Sequence, residues 1–273
     1  MLQQTQVDTV IPYFYRFLKK FPTVETLAKS DLHDVMMVWE NLGYYARARH
    51  VHETAKIITR EFAGKIPDTW DLLIRLPGIG PYTAGAILSI AFGKRIPAID
   101  GNARRVLSRL FAVKESVDSP RTQHRLRRLA EKLLPRRCPG IFNQALMDLG
   151  SQICTPKNAA CPVCPVQRLC CAFARTLQYR LPVTDKRPLL PHKDAVAAIL
   201  HDSRNRILVV RRPAKGLLGS LWKFPGGVLS DGESLPDGLQ RTVREDLRLQ
   251  VEGYDFIASV KHAYTHFSMT LHI

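Results

Sequence analysis

The 273-residue sequence carries 40 Lys and Arg against 24 Asp and Glu, a formal net charge of +16, and 45% of it is apolar. That apolar share excludes a disordered chain, no apolar run reaches the length of a membrane span, and the length exceeds one ordinary domain, so two domains are expected. The positive excess is spread along the chain rather than gathered in a tail, which makes polyanions the expected partners, nucleic acid first; the bland alternative is a merely soluble cation. No basic n-region followed by an apolar h-region opens the chain, so a cytosolic or nuclear protein is expected.

The opening stretch MLQQTQVDTVIPYFYRFLKKF has the apolar spacing of an amphipathic helix, with Leu2, Val10, Phe14, Phe17 and Leu18 as its buried face and Pro12 as a kink or restart. No capping residue precedes it, so the chain is expected to begin inside a helix. Helical patterns follow in TVETLAKS, LHDVMMVWENLG, YYARARHVHETAKIITREFAG, TWDLLIRL and TAGAILSIAFG, while strand-like alternation is scarce before residue 190. The first domain therefore reads as all-α.

In LPGIGPYTAGAIL, from Leu76 to Leu88, a helical pattern runs into Gly78 and Gly80, and a second helix starts at about Pro81. Proline suits that first position because its missing N–H has no helical partner to lose. Glycines before a helix N-terminus leave backbone N–H groups for a phosphate. A dinucleotide-binding turn is the alternative, but Thr83 occupies its third glycine position and the preceding segment is helical rather than a strand. A helix-hairpin-helix gripping a nucleic-acid backbone fits better; a plain helix–helix connection is the bland reading. Asp100, in IPAIDGNARRVLSRL, precedes a basic helix with Arg104, Arg105 and Arg109, and its bland role is that of N-cap.

CTPKNAACPVCPVQRLC places Cys154, Cys161, Cys164 and Cys170 in one loop. Without a signal peptide these are poor disulfide candidates, so metal ligation is the better reading. Structural zinc usually takes two separated C-x-x-C pairs, whereas only Cys161 and Cys164 form one here; iron–sulfur clusters take four thiolates from compact runs. The spacing puts a cluster ahead of zinc and leaves both open. Pro162 and Pro165 fix φ beside two of the ligands. Cys138 and Cys171 are left over as buried thiols. After Tyr179, Pro182, Pro188 and Pro191 mark a semi-rigid linker, and the period then changes to strands in AVAAIL and RILVVRR, separated by the turn-like HDSRN.

Taken in order, MLQQTQV, LGYYARAR, LPGIGPYTAGAI, DGN, FNQALMDLG and C-x6-C-x2-C-x5-C resemble the motifs of MutY-type adenine DNA glycosylases, in the helix-hairpin-helix, endonuclease III superfamily, over essentially the whole chain. The resemblance implies a [4Fe-4S] cluster held by Cys154, Cys161, Cys164 and Cys170. It would order a basic loop, TPKNAA with Lys157, against DNA phosphates, with Arg168 adding to that surface. It implies that the Gly78 and Gly80 hairpin grips the backbone. The endonuclease III branch has a Schiff-base lysine where this chain has Tyr82, and tends to DTH where this chain has DGN, so a monofunctional enzyme removing adenine is implied. By the same resemblance Gln4 and Tyr44 enter the duplex with Leu2 nearby, and Gln144 hydrogen-bonds the flipped adenine. Asp100 steadies the oxocarbenium-like sugar, electrostatically or through a transient covalent bond, with Tyr82 and Asn102 supporting it. On the residues alone, Tyr44 reads as core packing and Gln144 as a solvated helix face. The family's acid, a glutamate, falls two residues before Met1, so the sequence is expected to be cut short there.

LWKFPGGVLSDGESLPDGLQRTVREDL resembles a Nudix motif, with Thr242 where its first metal-binding glutamate belongs and only Glu245 and Asp246 following. Those carboxylates are too few for Mg²⁺-dependent pyrophosphate hydrolysis. In MutY-type enzymes such a degenerate domain recognises 8-oxoguanine opposite the adenine, and AYTHFSMTLHI resembles its lesion-reading loop, with Thr265 and His266 as candidates. The alternation Phe267, Met269, Leu271, Ile273 stops without a turn, so this end too is expected to be cut short.

The expected architecture is multidomain, α then α+β: a glycosylase domain at 1–178, a linker at 179–193 and a Nudix-like domain at 194–273. The expected partner is double-stranded DNA with A:8-oxoguanine or A:G mispairs, bound by a monomer with no membrane association, in a bacterial cytoplasm at the nucleoid or in a eukaryotic nucleus. The rivals are a bifunctional pyrimidine-lesion glycosylase, which needs the hairpin lysine, a DNA-binding protein without catalysis, and a Nudix hydrolase with an accessory helical domain.

Overall fold

The computed structural model describes residues 1–186, 189–213, 216, 218–264 and 266–273. Contacts divide the chain into two units, Met1–Lys186 and Arg187–Ile273. The first is helical, with α1 (Val7–Lys20), α2 (Val24–Lys29), α3 (Leu32–Val38), α4 (Ala46–Glu61), α5 (Trp70–Leu73), α6 (Pro81–Ala86), α7 (Gly101–Leu110), α8 (Pro120–Leu133), α9 (Pro139–Asp148) and α10 (Cys171–Ala174). Caps set several starts: Thr23, Asp31, Asp100 and Ser119 each accept a backbone N–H of the first turn. Two π-helical turns, Ile87–Ala91 and Leu149–Ile153, extend α6 and α9.

Two apolar clusters build this unit. Ile58, Leu73, Leu76, Ala84 and Leu88 pack α4 and α5 on α6, and Ala103, Val106, Leu107, Val113, Leu126, Ala130 and Leu146 pack α7 between α8 and α9. Between the clusters lies Asn143 of α9, buried, whose amide donates to Ser89 Oγ (2.8 Å) and the Ile96 carbonyl (2.9 Å) and accepts the Ala98 N–H (3.2 Å). It thereby fixes the extended segment that leads into Asp100.

The first helix departs from the sequence reading. It begins at Val7, not at the first residue; Gln6 is extended and Gln4 has φ +62°. Leu2, Phe14 and Leu18 are exposed and Val10 is buried, because contact runs along a narrow line where Phe17 meets Phe21 (5.1 Å) and Trp39 (6.2 Å). Pro12 sits inside α1 without breaking it; its fixed φ is already helical. Cys138, expected buried, is exposed at φ +55° before α9. Part of the stretch expected to link the domains is packed instead: Leu181 is buried against Ala112 and Ala172, the Val183 carbonyl accepts the Val117 N–H (2.9 Å), and the Asp185 N–H donates to Asp118 (3.0 Å). Pro188 lies outside the described residues.

The second unit holds β1 (His192–Ala197), β2 (Val210–Arg211), β3 (Trp222–Lys223), β4 (Gly226–Val228), α11 (Leu235–Leu247), β5 (Ser259–Ala263) and β6 (Ser268–His272). One sheet has the order β4-β1-β6-β5, with β1 antiparallel to β4 and parallel to β6; β2 and β3 form a separate antiparallel pair. Leu239 and Val243 of α11 cover Val196 and Ala198 on one face of the sheet. No described helix is long and apolar enough to cross a membrane.

Asn143→Ala strands the buried Ala98 N–H and Ile96 carbonyl at a cost of about 2–4 kcal/mol. Its thermal midpoint should fall by roughly 4–10 °C, read by circular dichroism at the helix band.

Candidate functional site

The hairpin forms because helix α5 ends in a turn that only glycine fits. Gly78 has φ +74°, and a side chain there would run into His50 of α4. Thr54 of α4 donates to the Pro77 carbonyl (2.9 Å) and clamps the turn from behind. Gly80 is the extended N-cap of α6, with open space where a side chain would stand and Pro81 at the first helical position.

On α6, Tyr82 is half-buried and its hydroxyl points to Met147 Sδ (3.4 Å) on α9. Burial, then the neighbouring charge of Asp100, raises its pKa above the ordinary value of 10.0, so the phenol stays protonated at neutral pH. Asp100 caps α7: one carboxylate oxygen accepts the Ala103 N–H (2.7 Å) and the other the Asn102 amide (3.0 Å). The helix thus uses one oxygen of the cap, and the second is held by a side chain. Tyr82, Asp100 and Asn102 are thus brought together.

Asn102, Arg105 and Arg109 lie at i, i+3 and i+7 along α7, a single helical stripe. Arg105 donates to Asn102 Oδ1 (2.6 Å), the Gly150 carbonyl (2.7 Å) and the Cys154 carbonyl (2.7 Å). Gly150 is required there, since a side chain would collide with Asn102. Arg109, only 2% exposed, donates to the carbonyls of Leu181 (2.8 Å), Thr155 (2.7 Å) and Pro156 (3.0 Å) and to Cys154 Sγ (3.2 Å). The basic residues of α7 read from the sequence therefore include two that bind the protein's own loop.

Cys154, Cys161, Cys164 and Cys170 line one cavity, together with Arg109 and Gln178. Burial, then proximity to the other three sulfurs, pushes the Cys161 thiol up. Gathering four thiolates in a partly buried space is costly without a positive centre among them. Among the described residues no group of three or more His, Cys, Asp or Glu is placed as ligands of a single metal ion. The donor set, four sulfurs around one cavity, fits a thiolate-bound inorganic group, and the Gln178 amide beside them has a buried oxygen with no partner. Lys157 and Arg168 are exposed on the same loop.

The N-terminal segment is drawn to this region. Gln3 Nε2 donates to Thr83 Oγ1 (2.8 Å), next to Tyr82. Arg47, from LGYYARAR, donates to the carbonyls of Met1 and Gln3, to Thr5 Oγ1 (2.9 Å) and to the Gly43 carbonyl (3.2 Å), and its guanidinium lies 5.3 Å from the Tyr44 ring. Leu2, Gln4 and Tyr44 are all exposed, Tyr44 at φ +48° rather than in the core. Gln144 is exposed on α9, its amide donating to the Gly140 carbonyl (3.3 Å). The sequence reading missed Gln3, Arg47, Arg109 as a loop anchor and Asn143; the helical spacing of Asn102, Arg105 and Arg109 is the one signal that was available.

In the second unit Thr242 is buried, its hydroxyl donating to the Gly238 carbonyl (2.8 Å). Glu233 and Glu245 both pair with Arg241, and Asp246 pairs with Lys223 and accepts the Gly226 N–H (2.9 Å). The Arg241 hydrogen bond takes Glu233 down to about 2. These carboxylates are committed to cations. His266 is exposed at the turn between β5 and β6, where Tyr264 and Phe267 stack at 4.8 Å; Thr265 lies outside the described residues.

The family model of HhH-GPD superfamily base excision DNA repair proteins matches residues 1–136, and a NUDIX domain model matches residues 195–273. A solved thermostable thymine-DNA glycosylase aligns with a TM-score of 0.59 and 28% identity, over 64% of this chain and 80% of that one. Fold and site thus define a helix-hairpin-helix base excision DNA repair protein carrying a Nudix-like unit. Curated adenine DNA glycosylases are similar across both: one from Buchnera aphidicola of Schizaphis graminum is 37% identical over 82% of this chain and 65% of its own length, and one from mouse is 34% identical over 100% and 62%. One from Schizosaccharomyces pombe is 30% identical over 100% of this chain and 70% of its own length. The chain belongs to the adenine DNA glycosylase family. It spans 62 to 65% of the length of the Buchnera and mouse relatives.

Arg109→Leu leaves three carbonyls without this donor and removes a buried charge, and should lower stability by about 3–5 kcal/mol, read from urea midpoints. In the unfolded chain Tyr82 ionises at its ordinary value and in the fold above it, so this group's contribution is complete below pH 10.0 and is lost as pH rises through the folded value. Tyr82→Phe should flatten the stability loss between about pH 9 and about pH 11, measured as urea midpoints against the wild type.

Proposed function

We propose that this protein removes adenine paired with 8-oxoguanine or guanine by hydrolysing its N-glycosidic bond, as the monofunctional first step of base excision repair. The observation that carries the reading is Asp100, whose second carboxylate oxygen is aimed by Asn102 beside a protonated Tyr82. A carboxylate so oriented steadies the oxocarbenium-like sugar as the base departs. Tyr82 stands where a lyase of this superfamily has its amine, so strand cleavage through a Schiff base has no nucleophile.

The remaining groups follow the same reading. The Gly78–Gly80 hairpin takes a phosphate on the N–H groups that open α6. Gln4, Tyr44 and Leu2 fill the space left by the flipped nucleotide, and Gln144 meets the adenine. Cys154, Cys161, Cys164 and Cys170 hold a [4Fe-4S] cluster, which contributes structural order to the loop bearing Lys157 rather than acid–base chemistry. The tip between β5 and β6, with Thr265 and His266, reads 8-oxoguanine. The protein works as a monomer on duplex DNA, in the compartment that holds the chromosome.

The test is single-turnover adenine release from a duplex holding A opposite 8-oxoguanine. Asp100→Asn should slow it by at least ~100-fold while leaving duplex affinity in place. Tight lesion-selective binding by the wild type without release would reduce the reading to recognition alone; neither binding nor release would sink it.

A further inference from the structure

The cysteine cavity holds a polar group that the cysteines do not explain. Gln178 lines it beside Arg109, and the Gln178 Oε1 atom is buried with no hydrogen-bond partner. A buried unpaired amide oxygen costs roughly 1–3 kcal/mol. The oxygen and nitrogen of a glutamine amide are interchanged by a half-turn about its last torsion, and the choice between them follows from the surrounding partners. Here the cavity is lined by four sulfurs and a guanidinium that spends four of its five N–H donors on Leu181, Thr155, Pro156 and Cys154. Electron-rich sulfur accepts hydrogen bonds and offers an amide oxygen nothing, so the end that belongs inside the cavity is the N–H₂.

We propose that the Gln178 amide donates a hydrogen bond to the sulfur of the inorganic cluster, or to a thiolate bound to it, in addition to the bond Arg109 makes to Cys154 Sγ, and that this donor sets the cluster's reduction potential. The inference rests on the cluster reading above. Hydrogen bonds to cluster sulfur favour the oxidation state with more negative charge, and so raise the potential. The other polar side chains of the described lining are already engaged: Gln167 Nε2 donates to the Cys161 carbonyl at 2.9 Å and Arg109 makes four hydrogen bonds, while Ile153, Ala159 and Phe173 are apolar. Gln178 is a positioning and tuning residue; it touches none of the atoms that react in base removal.

Two variants of matched size separate donor from bulk: Gln178→Leu removes both polar atoms, and Gln178→Glu replaces the donor with a carboxylate. In protein carrying the wild-type iron content and visible band, Gln178→Leu should change the reduced-to-oxidised ratio at fixed poise about tenfold toward oxidised, which for a one-electron couple is a drop of about 59 mV, and Gln178→Glu should drop it further. Wild-type potentials in both loaded variants overturn the proposal. Should neither variant load, the wild type alone decides: with ¹⁵N in the glutamine side-chain amide and the cluster in a paramagnetic state, a nitrogen coupling to the cluster is expected, and its absence overturns the proposal. A wild type purified without iron or visible band would overturn the cluster reading itself and this inference with it, an outcome distinct from a loaded wild type with no amide coupling.

Discussion

The hydrogen bonds from Arg105 and Arg109 to backbone carbonyls are the interaction on which the rest of the first unit depends. A guanidinium removed from water must satisfy its N–H groups, and a carbonyl that has lost its hydration needs a donor. Arg109 meets both demands by joining three carbonyls from two separate stretches of chain to one sulfur. Arg105 does the same between the Cys154 carbonyl and the side chain of Asn102, which in turn aims Asp100. One ten-residue helix thus carries the Asp100 carboxylate at its N-cap and the anchor of the cysteine loop along its side. Displacing the loop changes what Arg105 can bond, and Arg105 bonds the partner of Asp100.

The same device appears at the N-terminus. Arg47 threads carbonyls of Met1, Gln3 and Gly43 onto one guanidinium, bringing a segment without regular structure against the loop that presents Tyr44. Three arginines of the positive excess are therefore structural, bound to the chain's own carbonyls. The charge available to a polyanion is smaller than the composition implies, and it sits on exposed groups such as Lys157 and Arg168. The exposed side chains of Leu2 and Tyr44 sit next to these bonds: Arg47 holds the carbonyls of Met1 and Gln3 on either side of Leu2 and that of Gly43 before Tyr44.

In the second unit a Nudix-like helix is kept while its carboxylates are put to other uses. Thr242 is turned into the packing under the sheet, and Glu233, Glu245 and Asp246 brace α11, β3 and β4 through Arg241 and Lys223. Each carboxylate that pairs with a cation is withdrawn from hard-metal coordination, which requires oxygens free to converge on one point. At the β5–β6 turn the half-buried Tyr264 and Phe267 stack, and His266 is exposed beside them.

The helices of the first unit, the glycine hairpin, the Asp100 cap and the change of period after residue 190 were legible because each depends on neighbours a few residues away: apolar spacing, φ at Gly78, a side-chain acceptor before a helix. The start of α1 and its buried face were not legible, because Leu2, Phe14 and Leu18 have helical spacing whether or not another element covers them, and none does. Nor could Cys138 be placed, since an isolated thiol carries no periodicity. The four cysteines, the motif order and the substitution of Tyr82 for a lysine were decided by the amino-acid sequence alone, for they are matters of residue identity. Tertiary structure alone decided that Arg105 and Arg109 face inward, that Gly150 must lack a side chain beside Asn102, and that Asn143 ties the approach to Asp100. Each of these joins atoms about 45 residues apart in the chain, and hydrogen bonds over such separations are set by how the helices pack, which no local pattern encodes.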